Sequence, residues 1–455
     1  MLVSFRTPIG RLLILLATAL TVSGQTPTPN AQNPSPSGQP VVITLDEAIH
    51  RAQTSDANYA AAVATGRTAA LDRNIAISSL LPSAHYFNQG LYTQPNGQLN
   101  QAGQGVASQP APRFIANNAV REYTSTAIVN DTLGLAGVAD VRRTRALAAQ
   151  AAAELEIARR GLVSAVVSLF YGSLSADHKL SVAERAQLEA AEFTKITEER
   201  EQARESAHAD VVKAQLQQQA RSRELQDAQL AAEKARLELG VLLFPDPRTA
   251  YTLSSDEAVA PLASRNDIDA AASKNNPELK SALEGVRASN AEVLAARAAY
   301  LPDLGLNYTY GIDAPQFAKN GPDGVRNLGY SASVTVDIPL WDWFNTQRRV
   351  KQSQIRRQSA RIVLSATQRQ LIARLDEAYS EAAAARDQLA SLDLSVSTAA
   401  ESLRLTRLAY TGGDATVLEV VDAQSAFISA QNAREDGRVR YETALANLQT
   451  LTGTM

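Results

Sequence analysis

YTGGDATVLEVVDAQ, residues 410 to 424, separates two long helical patterns. Gly412 and Gly413 supply a helix stop, and Asp414 is the expected N-cap of the helix that follows. The stretch reads as the tip of a helical hairpin. A second tip is expected earlier in the chain. There Ala209-Asp210-Val211-Val212-Lys213-Ala214-Gln215 aligns with Leu418-Glu419-Val420-Val421-Asp422-Ala423-Gln424, sharing two valines, an alanine and a glutamine. The chain therefore reads as an internal duplication.

Working outward, each tip joins a very long ascending helix to a shorter returning one. The spacing predicts helices over 134–204 and 207–243 in the first copy, and over 344–409 and 416–450 in the second. Leu155, Ala158, Leu162, Ala165 and Leu169 step by three and four, as do Leu371, Leu375, Ala378, Ala382 and Ala385, which is a coiled-coil seam. Small residues in the seam let backbones approach closely. At about 1.5 Å per residue such helices run on the order of 100 Å, longer than a globular core requires.

Before each long helix the period drops to two. Leu304, Leu306, Tyr308, Tyr310 and Ile312 share one face and Gly305, Asn307, Thr309 and Gly311 the other; Tyr330, Ala332, Val334, Val336 and Ile338 repeat the pattern. A β-hairpin over 303–339 follows, and a more blurred one over 83–131 whose loop, near 94–119, is long. Each hairpin is preceded by a helix ending at a Leu-Pro pair, Leu81-Pro82 or Leu301-Pro302. Thr44, with Glu47 as a capping box, should start the first of these helices, expected to run to about Leu80, and Asp267 the second, which breaks at Asn275-Asn276-Pro277. Residues 41–250 form the first repeat, 244–264 a connector and 265–455 the second repeat.

The first 24 residues, with Arg6, Arg11, an apolar run from Leu12 to Leu20 and Val22-Ser23-Gly24, have the layout of a secretory signal peptide. Residues 25–40 read as a disordered Pro/Ser/Gln-rich leader. No later run reaches the roughly 18–20 apolar residues of a membrane helix, so any span must be built of strands. The chain has no cysteine, hence no disulfide framework and no lipid-accepting thiol, and its net charge of -3 gives no reason to expect nucleic acid. His50, His85, His178 and His208 fall on different elements, and no phosphate loop or zinc motif is present. No enzyme, cofactor or metal site is expected.

Alternation alone suits equally a soluble sheet packed on helices; a non-channel periplasmic coiled-coil scaffold or adaptor would explain the long helices but not the paired hairpins. Length and number distinguish the readings. Four strands of about 9–11 residues match a tilted bilayer-spanning strand, but four cannot close a barrel, and lipid does not tolerate an open edge. Three chains would supply twelve strands, inside the even-numbered range of outer-membrane barrels. Trp341, Trp343 and Phe344 with Arg348 and Arg349, and Arg142 and Arg143 at the equivalent place, would then form an interfacial belt of aromatic and basic side chains.

The order of elements in two copies, with YTGGDATVLEVVDAQ at the second tip, resembles the TolC-like outer membrane factor family from Val41 to the C-terminus. The resemblance implies a mixed α and β fold: a homotrimer with a twelve-stranded outer-membrane barrel continued by a periplasmic helical tunnel. It implies an exit duct for drugs, metals or proteins, working with a periplasmic adaptor (membrane fusion) protein and an inner-membrane pump. It further implies a gate link between Tyr410 and Asp210, and a lumen-facing acidic selectivity ring from Glu419 and Asp422. Those two acids are three residues apart and so share a helix face. Two positions depart from the family pattern. The first tip, Arg204-Glu205-Ser206-Ala207-His208, lacks a glycine used to dock an adaptor, and Ala415 stands where the TolC type has a gating arginine.

Overall fold

The computed structural model describes residues 41–92, 121–254 and 260–453. The expected signal peptide, the leader and the loop near 94–119 lie outside these residues. In order, the elements are β1 (Val41–Ile43), α1 (Leu45–Ser55), α2 (Ala57–Ser78), β2 (Ser83–Tyr92), β3 (Arg121–Leu133), α3 (Leu135–Gln202) and α4 (His208–Leu243). They continue with β4 (Tyr251–Leu253), α5 (Arg265–Asn275), α6 (Pro277–Ala298), β5 (Asp303–Ala314), β6 (Leu328–Asp337), α7 (Asn345–Gly412) and α8 (Val417–Thr452).

Local chemistry accounts for the boundaries and corrects several expected ones. Thr44 does cap α1, its hydroxyl accepting from the Glu47 amide, but Glu47 turns to Arg51 at 2.6 Å instead of closing a box. The helix expected to reach Leu80 breaks at Asp56 (φ -72, ψ 122), whose carboxylate accepts from the Tyr59 amide at 2.6 Å and starts α2 afresh. Asn276 makes the matching break in the second half, holding the Leu279 amide at 2.9 Å with Pro277 at the first helical position. Only the second break carries a proline, so only it was legible. Ser264, not Asp267, caps α5; Asp267 sits at the third helical position and accepts from the Ser264 hydroxyl at 2.7 Å.

β2, β3, β5 and β6 form one antiparallel sheet in that order, leaving β2 and β6 as edges. Its register places Leu304, Tyr308 and Tyr310 opposite Val336, Ala332 and Tyr330 on one side, and opposite Leu133, Val129 and Ala127 on the other. One face of the sheet is thus apolar along β5 and β6, and no described element covers it: Tyr308, Tyr310, Tyr330, Val334 and Val336 are all exposed. On β2 the same face continues through Ala84, Tyr86 and then Asn88, where Ser125 bonds both Tyr86 and Asn88.

The two 68-residue helices α3 and α7 run past both sets of shorter helices. Near the sheet, α2 packs on α3, α3 on α6 and α6 on α7; beyond, α4 packs on α3, α3 on α8 and α8 on α7. Each set is a row of four helices, not a closed bundle. α7 at one end of the rows leaves Ile355, Ile362, Ile372, Leu394 and Leu408 exposed, while α2 and α4 at the other leave Leu71, Ile75, Leu216 and Val241 exposed. The largest core lies where the sets meet: Ile43, Ala52, Val166, Phe170, Leu239 and Tyr251 pack together, with Tyr251 donating to the Arg236 carbonyl at 2.7 Å. Among the described residues no helix is long and apolar enough to cross a membrane.

Candidate functional site at the helix tips

α7 ends because Gly413 adopts the left-handed conformation (φ 87), letting the amides of Gly413 and Asp414 turn back to the carbonyls of Tyr410 and Ala409 at 3.2 and 2.9 Å. Gly412 is the last helical residue. Asp414, expected as the next N-cap, is not. Thr416 takes that role: its hydroxyl accepts from the Glu419 amide at 3.4 Å, while the Glu419 carboxylate accepts from the Thr416 amide at 2.6 Å. This capping box places Val417 and Val420 inward and leaves Glu419 and Asp422 exposed on the same face. The first tip makes the same turn without glycine, Arg204 taking the left-handed position (φ 62).

Phe193, Ala214, Tyr410, Val417 and Val420 form a small core that joins the first coil, α3 with α4, to the second, α7 with α8. The Tyr410 ring is 5.2 Å from that of Phe193 and is 7% exposed. Its hydroxyl is enclosed by its own chain and has no hydrogen-bond partner among the described residues. Asp210 sits elsewhere, near Lys213 at 3.5 Å and Ser206 at 3.5 Å. Within one chain Tyr410 and Asp210 are not bonded to each other: the phenol packs inward against Phe193, while Asp210 stays on the first turn of α4.

Basic side chains join the coils instead. Arg407 pairs with Glu189, and the buried Arg221 donates to the Ser425 hydroxyl at 2.7 Å. Arg200 donates to the Tyr410 carbonyl at 2.8 Å, lies 4.8 Å from the centre of its ring and pairs with Glu205 at 3.6 Å. Sequence reading missed Arg200, because neither its spacing nor its neighbours announce a partner 210 residues away.

Farther from the tip, His178 bonds Glu435 at 2.9 Å, and Arg434 bridges Glu435 at 3.2 Å and Asp393 at 2.6 Å, stitching α3, α8 and α7. Asp177, Lys179 with Asp436, and Arg438 also face this cluster. The bond to Glu435 raises the imidazole above its ordinary 6.5, and the same bond holds Glu435 below 4.5 against its burial. The imidazole's contribution is complete below 6.5 and lost as pH rises through its raised value; that of Glu435 is lost only as pH falls through its depressed value. His178 is nearly half exposed, so screening keeps the effect small. The melting temperature should fall by about 2 °C between about pH 6 and about pH 8, and His178→Gln should flatten that slope. An unchanged slope in the variant would assign the pH dependence to other groups.

At the sheet end, Asp342 caps α7 by accepting from the amides of Asn345 and Thr346 at 3.2 and 2.6 Å. This turn holds Trp343 and Phe344 in left-handed backbone, with Trp341 5.9 and 5.0 Å from their rings. All three rings are exposed, as are Arg142, Arg348 and Arg349; Arg143 is half-buried and pairs with Asp140 at 2.7 Å. Among the described residues no group of His, Cys, Asp and Glu is arranged to hold a metal.

Residues 270–454 match the family model described as outer membrane efflux protein. The alkaline protease secretion protein AprF of Pseudomonas aeruginosa is 25% identical over 183 residues, covering 40% of this chain and 37% of that protein. The outer membrane protein TolC of Vibrio cholerae is 23% identical over 267 residues, covering 50% and 61%. The chain thus spans less than two thirds of either relative. The crystal structure of the Campylobacter jejuni CmeC outer membrane channel superposes with a TM-score of 0.75 at 16% identity, covering 90% of this chain and 85% of that one. The outer membrane protein VceC from Vibrio cholerae gives 0.74 at 16%, covering 90% and 96%.

Proposed function

We propose that this chain is a TolC-like outer membrane factor with a long periplasmic helical part, a reading supported by the family match and the shared fold, and that it forms the exit duct of a tripartite efflux or type I secretion system. On this reading the chain carries no catalytic activity. The observation that carries the reading is a four-stranded sheet with an uncovered apolar face and both edges unpaired, continued by rows of four helices that are likewise open at both ends. A sheet edge is not tolerated in lipid, so β6 of one copy pairs with β2 of the next. Three copies close a twelve-stranded barrel and a twelve-helix tunnel, with the two halves of each chain read as copies of one another.

Trp341, Trp343 and Phe344 then seat the barrel's periplasmic rim, with Arg142, Arg143, Arg348 and Arg349 beside headgroup phosphates. Glu419 and Asp422 line the narrow end as an acidic ring. An adaptor protein and an inner-membrane pump load the duct with small molecules or proteins.

Conductance of the purified protein in planar bilayers tests this reading. Unitary steps are expected, with Trp341 and Trp343 fluorescence quenched by lipids labelled near the headgroup. A protein that binds vesicles without conducting would be a scaffold, not a duct.

A further inference from the structure

The tip core leaves one polar atom unexplained and one cation unusually placed. Tyr410, buried in that core, has no partner for its hydroxyl among the described residues, yet its carbonyl receives both the Gly413 amide at 3.2 Å and the Arg200 guanidinium at 2.8 Å. That carbonyl lies in the last turn of α7, where the helix's own amides have run out and its dipole is negative. A guanidinium suits the spot: its planar fork reaches the carbonyl while its face lies on the ring at 4.8 Å. Glu205, in the first tip's turn, steadies the same guanidinium at 3.6 Å.

We propose that Arg200 is the latch that holds the second coil against the first at the tip, so that the tip widens only when Arg200 leaves Tyr410. The proposal rests on the duct reading above and names the residue that governs its opening. Of the ties between the coils, Arg407–Glu189 is an ion pair about two-fifths exposed on both sides, open to screening by salt. Arg221–Ser425 is buried but joins α4 to α8 and leaves α7 free. Of these three ties, Arg200 is the one that grips α7 through its backbone, at the turn that a widening tip must move.

Full-length protein in planar bilayers provides the test, with Arg200→Gln, Arg200→Lys, Tyr410→Leu and the double variant Arg200→Gln/Tyr410→Leu. Arg200→Gln should raise the open fraction about tenfold, equivalent to about 1.4 kcal/mol. Arg200→Lys should fall between it and the parent, keeping the charge over the ring but losing the planar fork. The double variant should be less than additive, because the ring face that Tyr410→Leu removes is also lost with Arg200→Gln, while the carbonyl contact survives in Tyr410→Leu alone. Heat-stable oligomer on an unheated gel confirms that each variant assembles; if Arg200→Gln does not, Arg200→Lys carries the comparison. Conducting parent with an unchanged open fraction in Arg200→Gln and Arg200→Lys overturns the latch and leaves the duct. A parent without unitary steps overturns both.

Discussion

Gly311→Val should abolish the heat-stable assembled form, whereas Gly329→Val, its direct neighbour across the β5–β6 ladder, should retain it. A Cβ at position 311 would overlap the Ser125 carbonyl oxygen and stand 2.6 Å from the Thr126 Cα, because β3 and β5 come unusually close there. Both obstacles are backbone atoms held in a ladder, so neither can swing aside as a side-chain tip would. A Cβ at 329 meets nothing within 4 Å, although the two glycines face each other. Overpacking a side chain costs about 1–3 kcal/mol, and parting two paired strands costs more, enough to prevent closure. Unheated gel electrophoresis of membrane extracts checks it. Assembly of Gly311→Val with the parent's heat resistance would show that the strands have room the backbone geometry denies.

The paired change Glu419→Gln with Asp422→Asn should bring the reversal potential in a salt gradient close to zero and weaken block by a trivalent cation about 100-fold, equivalent to about 2.7 kcal/mol. Both acids lie near the start of α8 on one face, and threefold symmetry would set six of them around one constriction. A trivalent ion there meets several carboxylates at once, each worth on the order of 1 kcal/mol per unit charge at about 4 Å even in water. Folding should survive, since the Glu419→Gln side chain keeps an oxygen to accept from the Thr416 amide, as the Glu419 carboxylate now does at 2.6 Å. Cation preference and block that both persist would place the selectivity ring elsewhere.

What was legible in the sequence, and what was not, divides along physical lines. Periodicity reports which face of an element is apolar, so both hairpins and both 68-residue helices could be placed within a few residues. Gly412-Gly413 also announced its turn, since a left-handed residue is what glycine permits. The equivalent left-handed Arg204 has no such signature. Caps were harder: Ser264 and Thr416 each had an acidic rival within three residues, and only geometry decides which hydroxyl or carboxylate reaches an amide. The tip's ties were hardest. Arg200 with Tyr410, and Arg407 with Glu189, join residues more than 200 positions apart. Tyr410 itself was found, but for its hydroxyl, whereas its carbonyl and ring make the contacts.

The two open sheet edges have a genetic consequence. In the proposed trimer β2 meets β6 of a different chain, so every ring would have seams that each depend on a single molecule, with no spare edge to compensate. In a cell making equal amounts of sound chains and chains with a proline in β6, a ring is intact only when all three draws are sound, about one in eight by chance. The damaged allele would then behave as dominant, removing most of the product of the intact copy.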